Sequence, residues 1–416
     1  MHGFPKVLEI TKTEITTMKT TRAKFSVKPV CACAALLCAG VSMHASAQSS
    51  VTLYGVVDNA FAYSSNQGGH SNTYINSGAL LASKFGLYGT EDLGGGNTAL
   101  FRLESGINAA TGAQSKSGYM FNRQAYVGLS NTNYGQVILG RAYTPYFQYV
   151  ASLGPTNVLT GAVGAHPGDV DALDTTLRMQ NSITYTLPVF GGLQAGVQYG
   201  LGEQAGSISN GSSVSAGLRY DYQGFGWGVG YTRLKNLADN TTANKTASFG
   251  NVGDFAINSP VNAGYASADS AQLIATAARY TFGKAMVGLN YSNVQYKPGA
   301  FSSFTQSATF NTVGVIATYD LTPAFRWAVG YSYTAEKARN GITSPAKYNQ
   351  FTMEQLYSLS KRTAFYAIQG YQRASGQRLA NGAIVDAVAS VGDSQNGTPS
   401  NGRSQFVGMV GVRHSF

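Results

Sequence analysis

The chain is predicted to fold as an all-β, sixteen-stranded antiparallel transmembrane β-barrel. Three observations predict it: few charges without long apolar runs, segments that alternate with period two, and joins that alternate between short and long. Charged residues are 12% of the 416, against about 25% in ordinary soluble proteins. The mean hydropathy is nevertheless neutral, at −0.09. Gly (50), Tyr (26) and Phe (20) are abundant, and Ser, Thr, Asn and Gln replace the missing charge. This excludes a helical membrane protein, which needs about 20 consecutive apolar residues per span. It also argues against a soluble helical protein, because Gly and Thr are poor helix formers. A barrel wall, with one face toward lipid and the other toward water, has this composition.

The longest apolar stretch, 30–41, contains Cys31, Cys33 and Cys38 and follows Lys19, Arg22, Lys24 and Lys28. Ala45-Ser46-Ala47 comes after it. A basic region, a short apolar core and an A-x-A site define a secretory signal peptide over 18–47, cleaved before Gln48. Residues 1–17 then form an upstream extension, with Met18 the expected true start. Leu37 before Cys38 does not suit lipidation, where a small residue is wanted. The mature segment 48–416 has 369 residues, no cysteine and a net charge of +6. Without disulfides, its backbone must satisfy itself by strand pairing.

Along 48–416, segments of about ten residues alternate apolar and polar. In 324–334, Phe325, Trp327, Val329, Tyr331 and Tyr333 oppose Arg326, Ala328, Gly330, Ser332 and Thr334. In 312–320, Val313, Val315, Ala317 and Tyr319 share one face, and in 98–107 Phe101 and Leu103 oppose Arg102 and Glu104. Alternation alone also suits a soluble sandwich; the joins separate the two. Short joins at 92–97, 131–135, 188–192, 223–225, 283–284, 321–323 and 360–362 take turns with long ones at 64–80, 108–118, 144–177, 203–212, 235–268, 297–308, 335–347 and 374–403. Together they connect sixteen strands. An even count closes an antiparallel barrel without an edge, and short turns at one rim with long loops at the other is the outer-membrane pattern. Alternation is poor over 348–373, where the faces of Phe365 and Tyr366 stay undecided. Aromatic residues flank the short joins: Tyr185 and Phe190, Tyr222 and Trp227, Tyr280 and Phe282, Tyr319 and Phe325. They are expected to form a girdle at the periplasmic interface.

These segments resemble the general diffusion porins of Gram-negative bacteria, in the β-proteobacterial Neisseria/Burkholderia-type subfamily. Ser50-Val51-Thr52-Leu53-Tyr54-Gly55 is similar to that family's first strand, and Gly86-Leu87-Tyr88-Gly89-Thr90-Glu91-Asp92-Leu93-Gly94 to its second strand and turn. Arg123-Gln124-Ala125-Tyr126-Val127-Gly128-Leu129, Leu139-Gly140-Arg141, Leu359-Ser360-Lys361-Arg362-Thr363 and Val412-Arg413-His414-Ser415-Phe416 follow in family order. The resemblance spans the mature chain. It implies a homotrimer in the outer membrane, each barrel with its own water-filled pore, and an inward-folded third long loop. It also implies that the barrel-assembly machinery reads the terminal Phe416.

A diffusion pore catalyses nothing; bore, lumen charge and desolvation at its narrowest point set its selectivity. The third long connection, 144–177, is longer than most structureless loops and carries Asp169, Asp171 and Asp174. It is expected to form the constriction. Lys84, Arg102, Arg123, Arg141 and Arg178 are expected to point inward opposite it. In the resemblance, Lys84, Arg123 and Arg178 match the basic eyelet cluster of anion-selective members. Lys at 84 keeps the charge and loses the planar fork of Arg. A modest anion preference among small hydrophilic solutes and inorganic ions follows. Arg219, Arg233 and Arg326 read as solvated lumen residues. Lys235, Lys245, Lys337, Arg339 and Arg378 fall on exterior loops, where solvent or lipopolysaccharide phosphate suffices as partner.

Other chemistries find little support. His70, His166 and His414 are far apart, and no serine sits in a G-x-S-x-G elbow. The run from His166 to Asp174 could offer oxygens to calcium, but its spacing is not that of an EF-hand loop. No cofactor or metal is called for, and an exported barrel meets no nucleic acid. A substrate-specific porin is the main alternative. An adhesin anchored by the barrel is another, but the strands and loops consume the whole mature chain. N-terminal sequencing of the protein isolated from cells is expected to begin at Gln48; a mature chain retaining Met18 would refute the leader.

Overall fold

The computed structural model describes residues 49–174, 177–236, 249, 255, 257–392 and 399–416. The expected extension 1–17 and signal peptide 18–47 lie outside them, as does Lys245. The strands run β1 Ser50–Gln67, β2 His70–Ser77, β3 Lys84–Gly94, β4 Asn97–Gly106, β5 Gln124–Asn131 and β6 Gly135–Tyr143. A short helix, α1 Pro145–Val150, follows. Then come β7 Arg178–Thr186, β8 Leu193–Gly200, β9 Ser213–Tyr222, β10 Phe225–Lys235, β11 Ser270–Phe282, β12 Ala285–Lys297 and β13 Ala308–Thr322. The chain ends with β14 Phe325–Glu336, β15 Lys347–Ser358, β16 Thr363–Ser375, the hairpin β17 Gln377–Ala380 and β18 Ala383–Asp386, and β19 Ser404–Ser415.

Each strand pairs antiparallel with its neighbour, and β19 returns to β1 over Val56↔Ser415 to Ser64↔Val407. The Phe416 amide donates to the Gly55 carbonyl at 3.0 Å and the Gly55 amide donates to the Phe416 carbonyl at 3.1 Å, so Phe416 seals the seam. β2 and β3 both pair with β1 and form the upper and lower halves of one stave, interrupted at 78–83. With that stave counted once, the described barrel has sixteen. β17 and β18 stand outside it.

The expected loop at 64–80 is instead mostly strand. β1 continues to Gln67 and turns through Gly68 and Gly69, at φ +63° and +106°, into β2. Two residues at positive φ make the turn that suits the twist of a hairpin. Apart from the adjacent Tyr74 and Ile75 the residues 64–77 are polar, so they carry no apolar alternation to read. The region 348–373 resolves into β15 and β16. There Phe365 is 50% exposed on the outer face, while Tyr366 is 2% exposed, its hydroxyl donating to Asp58.

Outward residues are apolar along the staves and aromatic at the short-turn rim. Tyr222, Phe225, Tyr280, Phe282, Tyr319, Trp327 and Tyr357 are exposed there. Tyr280 stacks on Phe282 at 6.1 Å, and Phe325 meets Trp327 edge-on at 6.5 Å. Rings with an apolar body and a polar edge suit this interface.

The interior is filled on one side by segment 144–177, whose Tyr146, Phe147, Val150 and Leu153 are buried. Glycines on the wall make room for it. A Cβ at Gly217 would lie 2.7 Å from the Pro145 carbonyl oxygen, at Gly228 2.2 Å from that of Tyr149, and at Gly230 2.7 Å from Tyr146 Cα. A Cβ at Gly370 would approach Val163 to 2.5 Å. Gly228→Val is therefore expected to cost at least about 1–3 kcal/mol through overpacking and to lift the segment from the wall. A lower unfolding temperature and a larger, noisier single-channel conductance would register it. The outward Val229→Leu should change neither.

Candidate functional site

The segment 144–177 starts where β6 ends at the long-loop rim. Thr144 caps α1, its Oγ1 accepting from the Phe147 amide at 3.2 Å, and Pro145 takes the first turn. Further short turns cover 151–153, 156–160, 161–164 and 167–169. A loop inside a barrel must still satisfy its backbone, and the wall supplies the partners. Ser215 Oγ accepts from the Tyr146 amide at 3.1 Å, and Gln350 Nε2 donates to the Ala165 carbonyl at 2.7 Å. Tyr296 Oη donates to the Val170 carbonyl at 3.3 Å. The segment therefore lines the interior from β9 to β16 and narrows it.

Its acids are spent largely on this attachment. Asp171 is fully buried: His166 Nδ1 lies 2.6 Å from its Oδ2, and Ser292 Oγ on β12 donates to the same oxygen at 2.6 Å. Tyr146 Oη donates to the Asp171 carbonyl at 2.7 Å. Asp174 is buried and Asp169 half-buried, with Asp169 Oδ1 accepting from the Asp174 amide at 3.0 Å. The expectation of three acids facing the lumen is corrected for Asp171, which points into the wall, and for Asp174, which is covered. Burial overrides their sequence position in an exposed-looking loop.

Across the bore, Lys84, Arg123 and Arg178 converge. Arg123 Nε donates to Glu104 Oε1 at 2.8 Å and its Nη2 donates to Tyr143 Oη. Tyr54 Oη donates to Glu104 Oε2 at 2.8 Å. The Arg123 and Arg178 guanidinium carbons sit 5.8 and 5.0 Å from the Tyr143 ring centre. Lys84 faces the same group, within electrostatic reach of Arg123, Arg178 and Glu104. Tyr143 stacks on Phe147 of α1 at 4.8 Å, tying the cations to the base of the constricting segment. Glu104 thus faces Arg123 and Lys84, and Arg123 and Arg178 flank the Tyr143 ring.

Arg102, two residues from Glu104 on the same face, sits closer to the periplasmic turns. It stacks over Tyr88 at 4.9 Å and Tyr54 at 5.7 Å. Arg141 does not join them, contrary to expectation. Its register partner is Ala125, so it shares the outward alternation of Val127, Leu129, Val137 and Leu139. Its guanidinium donates to the Asn122 carbonyl at 2.6 Å and to Gln180 Oε1 at 3.1 Å, over the Tyr119 ring. Arg219 and Arg326 face the lumen, paired with Asp221 and Asp320. Arg233 faces outward instead.

The sequence reading missed Glu104 as partner of the cations and His166, Ser292 and Gln350 as anchors. Glu104 was legible as inward from its alternation with Leu103. The anchors carry no local signal, since each meets its partner only across the barrel.

The family profile for Gram-negative porins matches residues 32–377, and the chain belongs to that family. It is 28% identical to outer membrane porin protein 32 of Delftia acidovorans, over 94% of this chain and 99% of that one. It is also 28% identical to the major outer membrane protein P.IB of Neisseria meningitidis serogroup B, over 89% and 95%. The solved anion-selective porin from Comamonas acidovorans superimposes with a TM-score of 0.67 at 26% identity, covering 89% of this chain and all of that one. The protein is an outer-membrane porin, a channel for passive diffusion and not a member of an enzyme family.

The His166–Asp171 pair makes the attachment pH-dependent. Burial favours neutral forms of both groups. For His166 the Asp171 carboxylate outweighs burial and holds it above its ordinary 6.5; for Asp171 the His166 charge and the Ser292 bond hold it below its ordinary 3.8. The histidine contribution is complete below about 6.5 and is lost as pH rises through the raised value. The aspartate contribution is complete above about 3.8 and is lost as pH falls through the lowered one. The segment should therefore be held best between these limits. Asp171→Asn, which leaves buried groups unpaired, should cost on the order of 3 kcal/mol. Amide hydrogen exchange of 161–174 should quicken in that variant, and in the native protein as pH is raised well above 6.5, after correction for intrinsic rates.

Proposed function

We propose that this porin passes small hydrophilic solutes and inorganic ions with a modest preference for anions. The single observation that carries the proposal is the charge balance at the narrow level. Lys84, Arg123 and Arg178 gather around Tyr143 with Glu104 beside them, while Asp171 is withdrawn into the attachment of the constricting segment and Asp174 is covered. An anion in the eyelet exchanges water for this net positive wall, where a cation meets repulsion. Arg102 extends the positive track toward the periplasm. The likeness to a porin described as anion-selective supports the same direction.

The assembly belongs to the same proposal. A homotrimer is the assembly that the family likeness supports. The remaining outward wall meets outer-membrane lipid and lipopolysaccharide at its long-loop rim. Phe416, paired to Gly55 at the seam, offers the terminal aromatic signal to the barrel-assembly machinery.

The reversal potential of the purified protein in a tenfold potassium chloride gradient is expected to have the sign of chloride preference. Lys84→Gln, Arg123→Gln and Arg178→Gln combined should move it toward cations, with Glu104 left uncompensated. A native protein that prefers potassium, or a triple variant with an unmoved potential, would overturn the assignment.

A further inference from the structure

The break at 78–83, between β2 and β3, turns into the barrel, and one residue of β1 fixes its route. Asp58 is fully buried on the inward alternation, beside the outward Val57. Its main chain holds the two ends of the break. The Gly78 amide donates to the Asp58 carbonyl at 2.7 Å. Ser83 Oγ donates to the same carbonyl at 3.0 Å and accepts from the Asp58 amide at 3.0 Å. Its carboxylate holds the middle. Oδ2 accepts from the Leu81 amide at 2.8 Å and the Leu80 amide at 3.3 Å, and Oδ1 accepts from Tyr366 Oη on β16. Arg413 on β19, the register partner of Asp58, lies within electrostatic reach of it.

The break touches both sides of the narrow level. Lys84 of the basic cluster is the residue that follows it and opens β3. From the other side, the turn 161–164 of the constricting segment rests on it. The Ala162 amide donates to the Ala79 carbonyl at 3.1 Å. Val163 is buried in one apolar cluster with Ala79, Tyr366, Ile368 and Val391. The approach needs glycine, since a Cβ at Gly161 would lie 2.2 Å from the Ala79 carbonyl oxygen. The residues 78–83 therefore join the basic wall to the segment that faces it, and their bonds converge on Asp58.

An enclosed turn outside the strand ladder needs acceptors for its amides. A carboxylate supplies them with bonds roughly twice as strong as neutral ones. A buried carboxylate in turn persists only where donors surround it, and here the donors are the turn itself and Tyr366. We infer that Asp58 is the positioning residue of the narrow level: through the 78–83 break it sets where Lys84 stands and how far the constricting segment lies from it. Asp58 touches no solute and acts through the two elements that do. The inference rests on the reading of 144–177 as the constriction and not on the sign of the ion preference.

The test compares the purified full protein with Asp58→Ala and Asp58→Asn. In Asp58→Ala, hydrogen exchange of the Leu80, Leu81 and Ala162 amides should quicken at least about tenfold, the loss of a charge-assisted hydrogen bond. The Tyr146 amide, bonded to Ser215 at the other end of the segment, should keep its native rate. In planar bilayers, the polyethylene glycol size at which conductance ceases to fall should rise. Asp58→Asn keeps the shape and one acceptor oxygen, so it should show the same pattern at smaller size, and it carries the test if the alanine variant does not assemble. Lys84→Gln should move the reversal potential less in the Asp58→Ala background than in the native one; an equal shift in both would overturn the link to Lys84. Even quickening across the staves would mark a merely structural role and overturn the inference. So would native exchange and polymer cut-off in both Asp58 variants. Gly228→Val separates the two readings: if it widens the bore and the Asp58 variants do not, the constriction stands and the role of Asp58 falls; if none of them does, both fall.

Discussion

Every peptide group that crosses lipid must find its hydrogen-bond partner within the protein, and the rest of this structure depends on that constraint. A closed antiparallel sheet meets it, with β19 returning to β1 and the last residue bonded to Gly55. Closure imposes a two-residue alternation on the staves, apolar outward and polar or small inward, interrupted at irregularities such as that between Gly140 and Ala142. Because the outer face admits almost no charge at depth, the formal charges of the chain are confined to the lumen, the rims and the loops. Charge placement in this molecule is therefore a consequence of backbone pairing.

The same constraint reappears inside the barrel. Segment 144–177 brings its own peptide groups into an enclosed space, and Ser215, Tyr296 and Gln350 from the wall answer them. Close approach is possible because Gly217, Gly228 and Gly230 stand where side chains would collide with α1. Anchoring and electrostatics are coupled here. Asp171 holds the segment through His166 and Ser292, and in doing so it leaves the lumen. Glu104 performs the matching task in the basic cluster, orienting Arg123 while offsetting its charge. The net field at the narrow level is set by which carboxylates are used as structural partners.

Much of the architecture was legible because its signals are local. The alternation of Phe325, Trp327 and Val329 against Arg326 and Ala328 needs only neighbouring residues to be read, and so does the alternation of short and long joins. Positions without that contrast were opaque. β2 is polar but for the adjacent Tyr74 and Ile75 and reads as loop; Phe365 and Tyr366 are adjacent aromatics, and composition does not say which one meets lipid. For the site, the convergence of Lys84, Arg123 and Arg178 was expected from family resemblance and their inward direction. Arg141 was assigned to the same group because it is basic and on a strand, and its register with Ala125 puts it on the other face. One residue of register is enough to exchange lumen for exterior.

What the sequence by itself determined is the class of molecule: an exported, charge-poor chain whose period-two segments and two kinds of join require a closed sixteen-stranded barrel. Those features are short-range, encoded within a dozen residues at a time. Only the tertiary structure decided which charges face the pore and which hold it together. Asp58 receives the Tyr366 hydroxyl 308 residues away, Ser292 reaches Asp171 across 121, and Gln350 reaches Ala165 across 185. Partners at such separations are chosen by barrel closure and by the path of one loop through its interior, which no local pattern encodes.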